Sequence, residues 1–287
     1  MLVSLAGASG RVGAMNPHTF PFLETTVGRA LAAAVAVILP TECVGCGARD
    51  RALCAVCSET IGASPPPSAA PSPASAWQSS PGARSCELVI EALQEPPLRV
   101  WAGVPYGTVV SSALSAFKEA GRTDAARPLA RVLESSILDA RTDLEGRLPP
   151  GAVLELTVAP SSRAAFRRRG YHPVELLAVR ARGALPIART LRVARPVADQ
   201  AGLGREARRA NLNGSLEVRS KLSGALDGRH FLVVDDVTTT GSTLVECRRA
   251  LESVGATVWG AATLAYTPKH HGASTVRPVG EREGQMG

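Results

Sequence analysis

Only three lysines (Lys118, Lys221 and Lys269) occur among 287 residues, so a formal net charge of +7 is carried almost wholly by arginine. That excess would suit phosphate-rich partners. The chain is also crowded with alanine, glycine and proline, a bias that genome composition can produce, so basicity alone selects no partner. Long apolar runs are missing as well. The longest, Leu31 to Leu39, falls far short of the ~20 residues needed to span a bilayer. It lies too far from the start, with no small-residue cleavage site before Pro40, to be the core of a secretory signal. A cytoplasmic protein without a membrane span is expected, and in that reducing compartment clustered cysteines read as metal ligands rather than disulfides. The glycine–lysine pair of a Walker A loop is absent. The run Arg167-Arg168-Arg169 lacks the interleaved aromatics that base stacking uses.

A composition of 45% hydrophobic and 20% charged residues supports one sizeable core and a small appendage. From about Glu87 onward, apolar strands alternate with helical patterns. Strands are expected over Val153 to Ala159, Phe231 to Val234 and Thr257 to Ala265, and helices over Val174 to Arg182 and Leu244 to Val254. Ser111 to Glu134 has helical spacing broken around Gly121, which predicts two helices. The alternation is the habit of an α/β parallel sheet with helices on both faces. The expected division is a poorly structured stretch over 1–26, an apolar helix plus cysteine knuckle over 27–61, a Pro/Ser/Ala-rich linker over 62–86, the α/β domain over 87–268, and a disordered tail over 269–287. Leu2 to Gly13 mimics a dinucleotide loop, but Asn16, Pro17 and Pro21 stand where its helix should begin. Met1 and Met15 both qualify as the biological start.

The densest chemistry lies in Phe231-Leu232-Val233-Val234-Asp235-Asp236-Val237-Thr238-Thr239-Thr240-Gly241-Ser242-Thr243. A buried strand breaks into two acids, then a hydroxyl-rich turn, then a helix. Backbone N–H groups, hydroxyls and the positive end of a helix dipole make such a loop a phosphate site. Asp235 and Asp236 can accept from sugar hydroxyls or help hold magnesium, so the whole suits a ribose 5-phosphate. Pro160-Ser161-Ser162-Arg163 forms a second turn of this kind, at the end of another strand and able to face the same pocket. Guanidinium groups there would meet pyrophosphate. Residues 199–212, with Gln200, Arg208, Arg209 and Asn211, are polar and glycine-punctuated, as a mobile loop closing over a site would be. Cys43, Cys46, Cys54 and Cys57 form two C-x-x-C pairs that can surround one structural zinc, with Gly45 and Gly47 easing the turns. Cys86 and Cys247 have no partner pair and read as plain small side chains.

In this order the segments resemble the ComF-type family of the type I phosphoribosyltransferases, which is linked to DNA uptake and competence. The likeness rests on the apolar helix and knuckle, Tyr106…Phe117-Lys118, Pro160 to Tyr171, Gln200 to Leu212, and the Asp235 loop. It implies a type I phosphoribosyltransferase-like parallel sheet preceded by a small four-Cys zinc knuckle. It also implies magnesium-dependent transfer of ribose 5-phosphate from phosphoribosyl pyrophosphate (PRPP) to a nucleobase-type acceptor, releasing pyrophosphate. Asp235 and Asp236 would meet the ribose hydroxyls and magnesium, Val237 would join them in binding PRPP, Thr238 to Thr243 would hold the 5-phosphate, and Ser161, Ser162 and Arg163 would meet the pyrophosphate. A different reading keeps the pocket but makes the protein a non-catalytic PRPP sensor or DNA-uptake accessory. Its arginines would then meet single-stranded DNA or the uptake machinery. The family usually has Asn-Gln after the aromatic matched by Tyr171; here His172-Pro173 follows, so no acceptor specificity carries over.

Overall fold

The computed structural model describes residues 41–49, 51–62, 85–90, 96–183, 185–195, 212–268 and 276–278. The expectations for the N-terminal stretch, the apolar helix to Leu39, the linker over 63–84 and the loop residues Gln200, Arg208, Arg209 and Asn211 lie outside them. In chain order the elements are α1 (Ala55–Gly62), β1 (Cys86–Ile90), β2 (Leu98–Pro105), α2 (Thr108–Glu119), α3 (Ala126–Leu144), β3 (Leu154–Val158), α4 (Arg163–Arg169) and α5 (Pro173–Ala181). There follow β4 (Ile187–Ala188), β5 (Leu191–Val193), β6 (Leu216–Val218), β7 (His230–Thr238), α6 (Ser242–Glu252), β8 (Thr257–Tyr266) and β9 (Val276–Pro278).

The continuous apolar run Phe231 to Val234 marks a strand buried on both faces, and all four side chains are fully buried. Leu232 and Val234 pack under α2, α3 and α5, whereas Phe231 and Val233 pack under α6 and the β5–β6 ribbon. Helices therefore cover both faces of one sheet, as expected. Its strand order is β4-β3-β7-β8-β2-β1-β9. Strands β4, β3, β7, β8 and β2 run parallel, while β1 is antiparallel to both neighbours. From β3 the chain leaves through α4 and α5 toward β4; from β7 it leaves through α6 toward β8, in the opposite direction. Adjacent parallel strands whose connections diverge leave a crevice beyond their carboxyl ends. It opens between β3 and β7.

Several expected boundaries move for physical reasons. β7 runs four residues past Val234, because β8 continues beside it to the Thr238↔Tyr266 pair. Asp235 and Asp236 thus belong to the strand rather than the turn. On the other flank, pairing with β3 ends at Val158↔Val234, so the edge of β7 beside the two acids is open. The two expected helices are α2 and α3, separated at Gly121, whose φ is 67°. α3 runs on to Leu144 because Ile137, Ala140 and Leu144 continue its buried stripe. The expected disordered tail contains a strand: β9 pairs with β1 from Cys86↔Pro278 to Leu88↔Val276, satisfying an edge that would otherwise expose its backbone groups. The cysteine module, set apart in sequence, packs onto the α/β domain. Ile61 of α1 joins the core under α2 and α3, and Arg122 donates to the Glu42 carbonyl at 2.8 Å.

Candidate functional site

The loop between β7 and α6 owes its shape to Gly241, at φ 75°. A Cβ there would lie 2.1 Å from Cδ1 of Ile90, so both the backbone sign and the space demand glycine. No side chain caps α6. Thr240 and Ser242 share a hydroxyl–hydroxyl bond of 2.8 Å and the Ser242 N–H donates to the Thr240 hydroxyl at 3.4 Å, which orders the turn and leaves the later first-turn N–H groups for an anion. Thr238 is placed differently: its hydroxyl donates to Thr263 at 3.2 Å inside the sheet, away from the turn. Val237 packs its side chain against the core.

Beyond the open edge of β7 lies a cleft of about 240 Å³. Asp235, Asp236, Thr243 and Ser161 line it, together with Lys118 and Arg169. Asp235 accepts the N–H of Asp236 at 2.8 Å. Burial and, after it, the charge of Asp236 push its carboxyl up to about 7, against the opposing pull of that N–H and of Lys118. The Lys118 ammonium forms an ion pair with Asp236. Desolvation works against its charge, yet the two carboxylates win and its pKa is raised.

Sequence reasoning named Lys118 only as part of a resemblance and left Arg169 in a basic run. The fold explains why both matter. Phe117, Lys118 and Glu119 close α2: Phe117 is buried, its carbonyl accepts the Tyr171 hydroxyl, and Glu119 pairs outward with Arg168 and Arg169. Lys118, between them, faces the cleft. Arg169 Nε is buried without an acceptor, a donor aimed where an anionic group could satisfy it. Ser162 and Arg163 are not brought into the cleft lining. Ser162 caps α4 by accepting the Ala165 N–H at 3.1 Å, and Arg163 is exposed at the first position of that helix. Phe166, on the exposed α4, stacks on His172 with ring centroids 4.5 Å apart. An aromatic platform therefore stands beside the arginine run that looked bare of one.

The second constellation is the cysteine set. The four Sγ atoms of Cys43, Cys46, Cys54 and Cys57 all lie within 4.8 Å of one another. A tetrahedral ion with Zn–S bonds near 2.3 Å needs S···S separations of about 3.8 Å, so the set fits. Backbone N–H groups point at the sulfurs, from Gly45 and Cys54 to Cys43 and from Cys57 to Cys54. Burial disfavours the Cys43 thiolate, but the N–H groups prevail and hold it at about 6, the ionised form a zinc ligand needs. Gly45 is required because a Cβ there would reach 2.8 Å from Cys57 Sγ. With four thiol ligands and no open position, a zinc held here is structural. Cys86 and Cys247 are buried elsewhere.

A doubly covered parallel sheet with two acids near the end of a central strand, a hydroxyl-rich turn and an uncapped helix at its switch point defines a phosphoribosyltransferase-type fold. In agreement, residues 162–278 match the phosphoribosyl transferase domain family. The chain is 30% identical over 175 residues to the DNA utilization protein YhgH of Escherichia coli O157:H7, covering 57% of this chain and 71% of that protein. It is 32% identical over 169 residues to the protein of that name in Salmonella typhimurium LT2, with the same coverage. The chain belongs to the ComF-type family of type I phosphoribosyltransferases. Among the described residues, no helix is long and apolar enough to cross a membrane.

Proposed function

We propose that the protein binds PRPP with magnesium and transfers its ribose 5-phosphate to a nucleobase-type acceptor, releasing pyrophosphate. The supporting observation is the convergence of Asp235, Asp236, Thr243, Ser161, Lys118 and Arg169 on one cleft at the switch point. In this reading the 5-phosphate rests on the Thr239 to Thr243 turn, where N–H groups and the helix dipole favour negative charge. Asp235 and Asp236 accept from the ribose hydroxyls. The unpartnered Nε of Arg169 and the Ser161 hydroxyl meet the pyrophosphate. Magnesium, bound with the ligand, would neutralise phosphate charge. As the anomeric carbon–oxygen bond breaks, its electron pair leaves with pyrophosphate, and an acceptor nitrogen supplies the new bond and loses a proton. Positioning and charge stabilisation carry the rate; among the described residues lining the cleft the only candidate bases are the acids themselves.

A second reading, a PRPP-sensing or DNA-uptake accessory on the same fold, is favoured by the stack of exposed Phe166 on half-buried His172 beside Arg163 and Arg167. Stacked aromatics with flanking cations suit single-stranded nucleic acid. Calorimetric titration of magnesium–PRPP into the zinc-loaded protein separates the readings when followed by a nucleobase screen for pyrophosphate release. Saturable binding, lost in the Asp235→Asn/Asp236→Asn variant, supports the pocket. Absence of binding to the unsubstituted protein would sink the transferase and the PRPP-sensing readings and leave the DNA-uptake accessory, tested by binding to single-stranded DNA.

A further inference from the structure

The two cations of the cleft are held in opposite ways. Arg169 is anchored from outside by Glu119 on the last turn of α2. Lys118 is tethered from within, by Asp236. Its neighbours in sequence are fixed: Phe117 is buried in the core, with its carbonyl taken by Tyr171, and Glu119 grips Arg168 and Arg169. The helix end is thus clamped on both sides, and the four-carbon stem of Lys118 is the part that can turn within the cleft.

Charge decides what this arrangement admits. Asp236 is buried, and one of its oxygens is already occupied by the ammonium. A divalent ion arriving alone would have to take that oxygen with a like charge a few ångströms away. An ion arriving on a polyphosphate brings its own negative charge. The ammonium then has a new acceptor, and the Asp236 oxygen is released.

We propose that Lys118 is the resident counter-cation of this cleft: it holds Asp236 in the ligand-free protein, excludes free divalent metal, and passes to a phosphate oxygen when a metal–polyphosphate ligand enters. The proposal rests on the ribose-phosphate reading of the cleft and adds an order to it. The metal enters with its ligand and does not wait in the site. Lys118 is accordingly a specificity-determining residue, selecting the metal-bound form of the ligand.

The test compares the full-length zinc-loaded protein with Lys118→Met and Lys118→Arg. Free manganese is followed by its electron paramagnetic resonance signal without any phosphate present, and magnesium pyrophosphate is titrated separately by calorimetry. Manganese alone should bind Lys118→Met about tenfold more tightly than the unsubstituted protein, and Lys118→Arg no more tightly. Magnesium pyrophosphate should bind Lys118→Met about tenfold more weakly, with affinity largely kept in Lys118→Arg. General damage to the cleft would weaken both ligands, so the opposed signs are diagnostic. A Lys118→Met protein with an unchanged melting temperature and unchanged or weaker manganese affinity overturns the counter-cation role. Failure of the unsubstituted protein to bind magnesium–PRPP, with manganese still tightened by Lys118→Met, overturns the ribose-phosphate reading instead.

Discussion

Asp235 should cost the ligand-free protein stability as the pH rises, and Asp235→Asn should restore it. Burial, and next the charge of Asp236, push this carboxyl from the ordinary 3.8 up to about 7. A raised carboxyl contributes fully to stability below the unfolded value, and that contribution is lost as pH climbs through the folded one. Each pH unit inside this window removes about 1.4 kcal/mol. Between about pH 5 and pH 8 the loss is therefore about 3 kcal/mol, most of it complete by pH 7. Asparagine abolishes the titration and keeps an oxygen to accept the Asp236 N–H, now at 2.8 Å. The appropriate assay is urea unfolding of both proteins at the two pH values, with reductant present and phosphate absent. The advantage of Asp235→Asn should be about 3 kcal/mol greater at the higher pH, where other titrating groups cancel in the double difference. The same variant should lose affinity for magnesium–PRPP, a trade of stability against function common at binding sites. An equal gap at both pH values would refute the assignment of a forced charge at Asp235.

Gly241→Ala places a Cβ at φ 75° against Cδ1 of Ile90. It should cost about 2 kcal/mol in unfolding measurements, about half from the left-handed backbone and half from the overlap. Adding Ile90→Val should make the double variant less destabilised than the sum of the single ones; strict additivity would show that the contact is not the cause. Serine at Cys43, Cys46, Cys54 and Cys57 together should remove about one zinc per chain by metal analysis. The melting temperature should fall with it, since the knuckle carries Ile61 into the core. Zinc retained at full occupancy would disprove the ligand set.

What could be read directly were features whose physics is local. The two C-x-x-C pairs mark a set able to hold a metal because ligand spacing within a knuckle is a short-range matter. Phe231 to Val234 followed by acids, hydroxyls and Gly241 declares a buried strand, a turn and a helix start for the same reason. Periodicity located α2, α5, α6 and β8 within a few residues. It could not say that β7 would run on through Asp235 and Asp236, because that depends on how far β8 extends beside it. Nor could it foresee β9, whose three residues have a role only because β1 offers an edge.

The cleft itself was decided in three dimensions. Lys118 lies more than a hundred residues from Asp236 in sequence and meets it only because α2 ends over the open side of β7. Arg169 lines the cleft while its outer nitrogen is held by Glu119, whereas Ser162 and Arg163, next to the turn in sequence, stay at the start of α4 and outside the lining. Thr238 spends its hydroxyl on Thr263 across the sheet. Sequence thus determined which segments could bind phosphate and metal, since hydrogen-bonding groups and turn geometry are set by neighbours along the chain. Tertiary structure determined which charges share a low-dielectric cleft, since electrostatic coupling depends on distance through space and on burial.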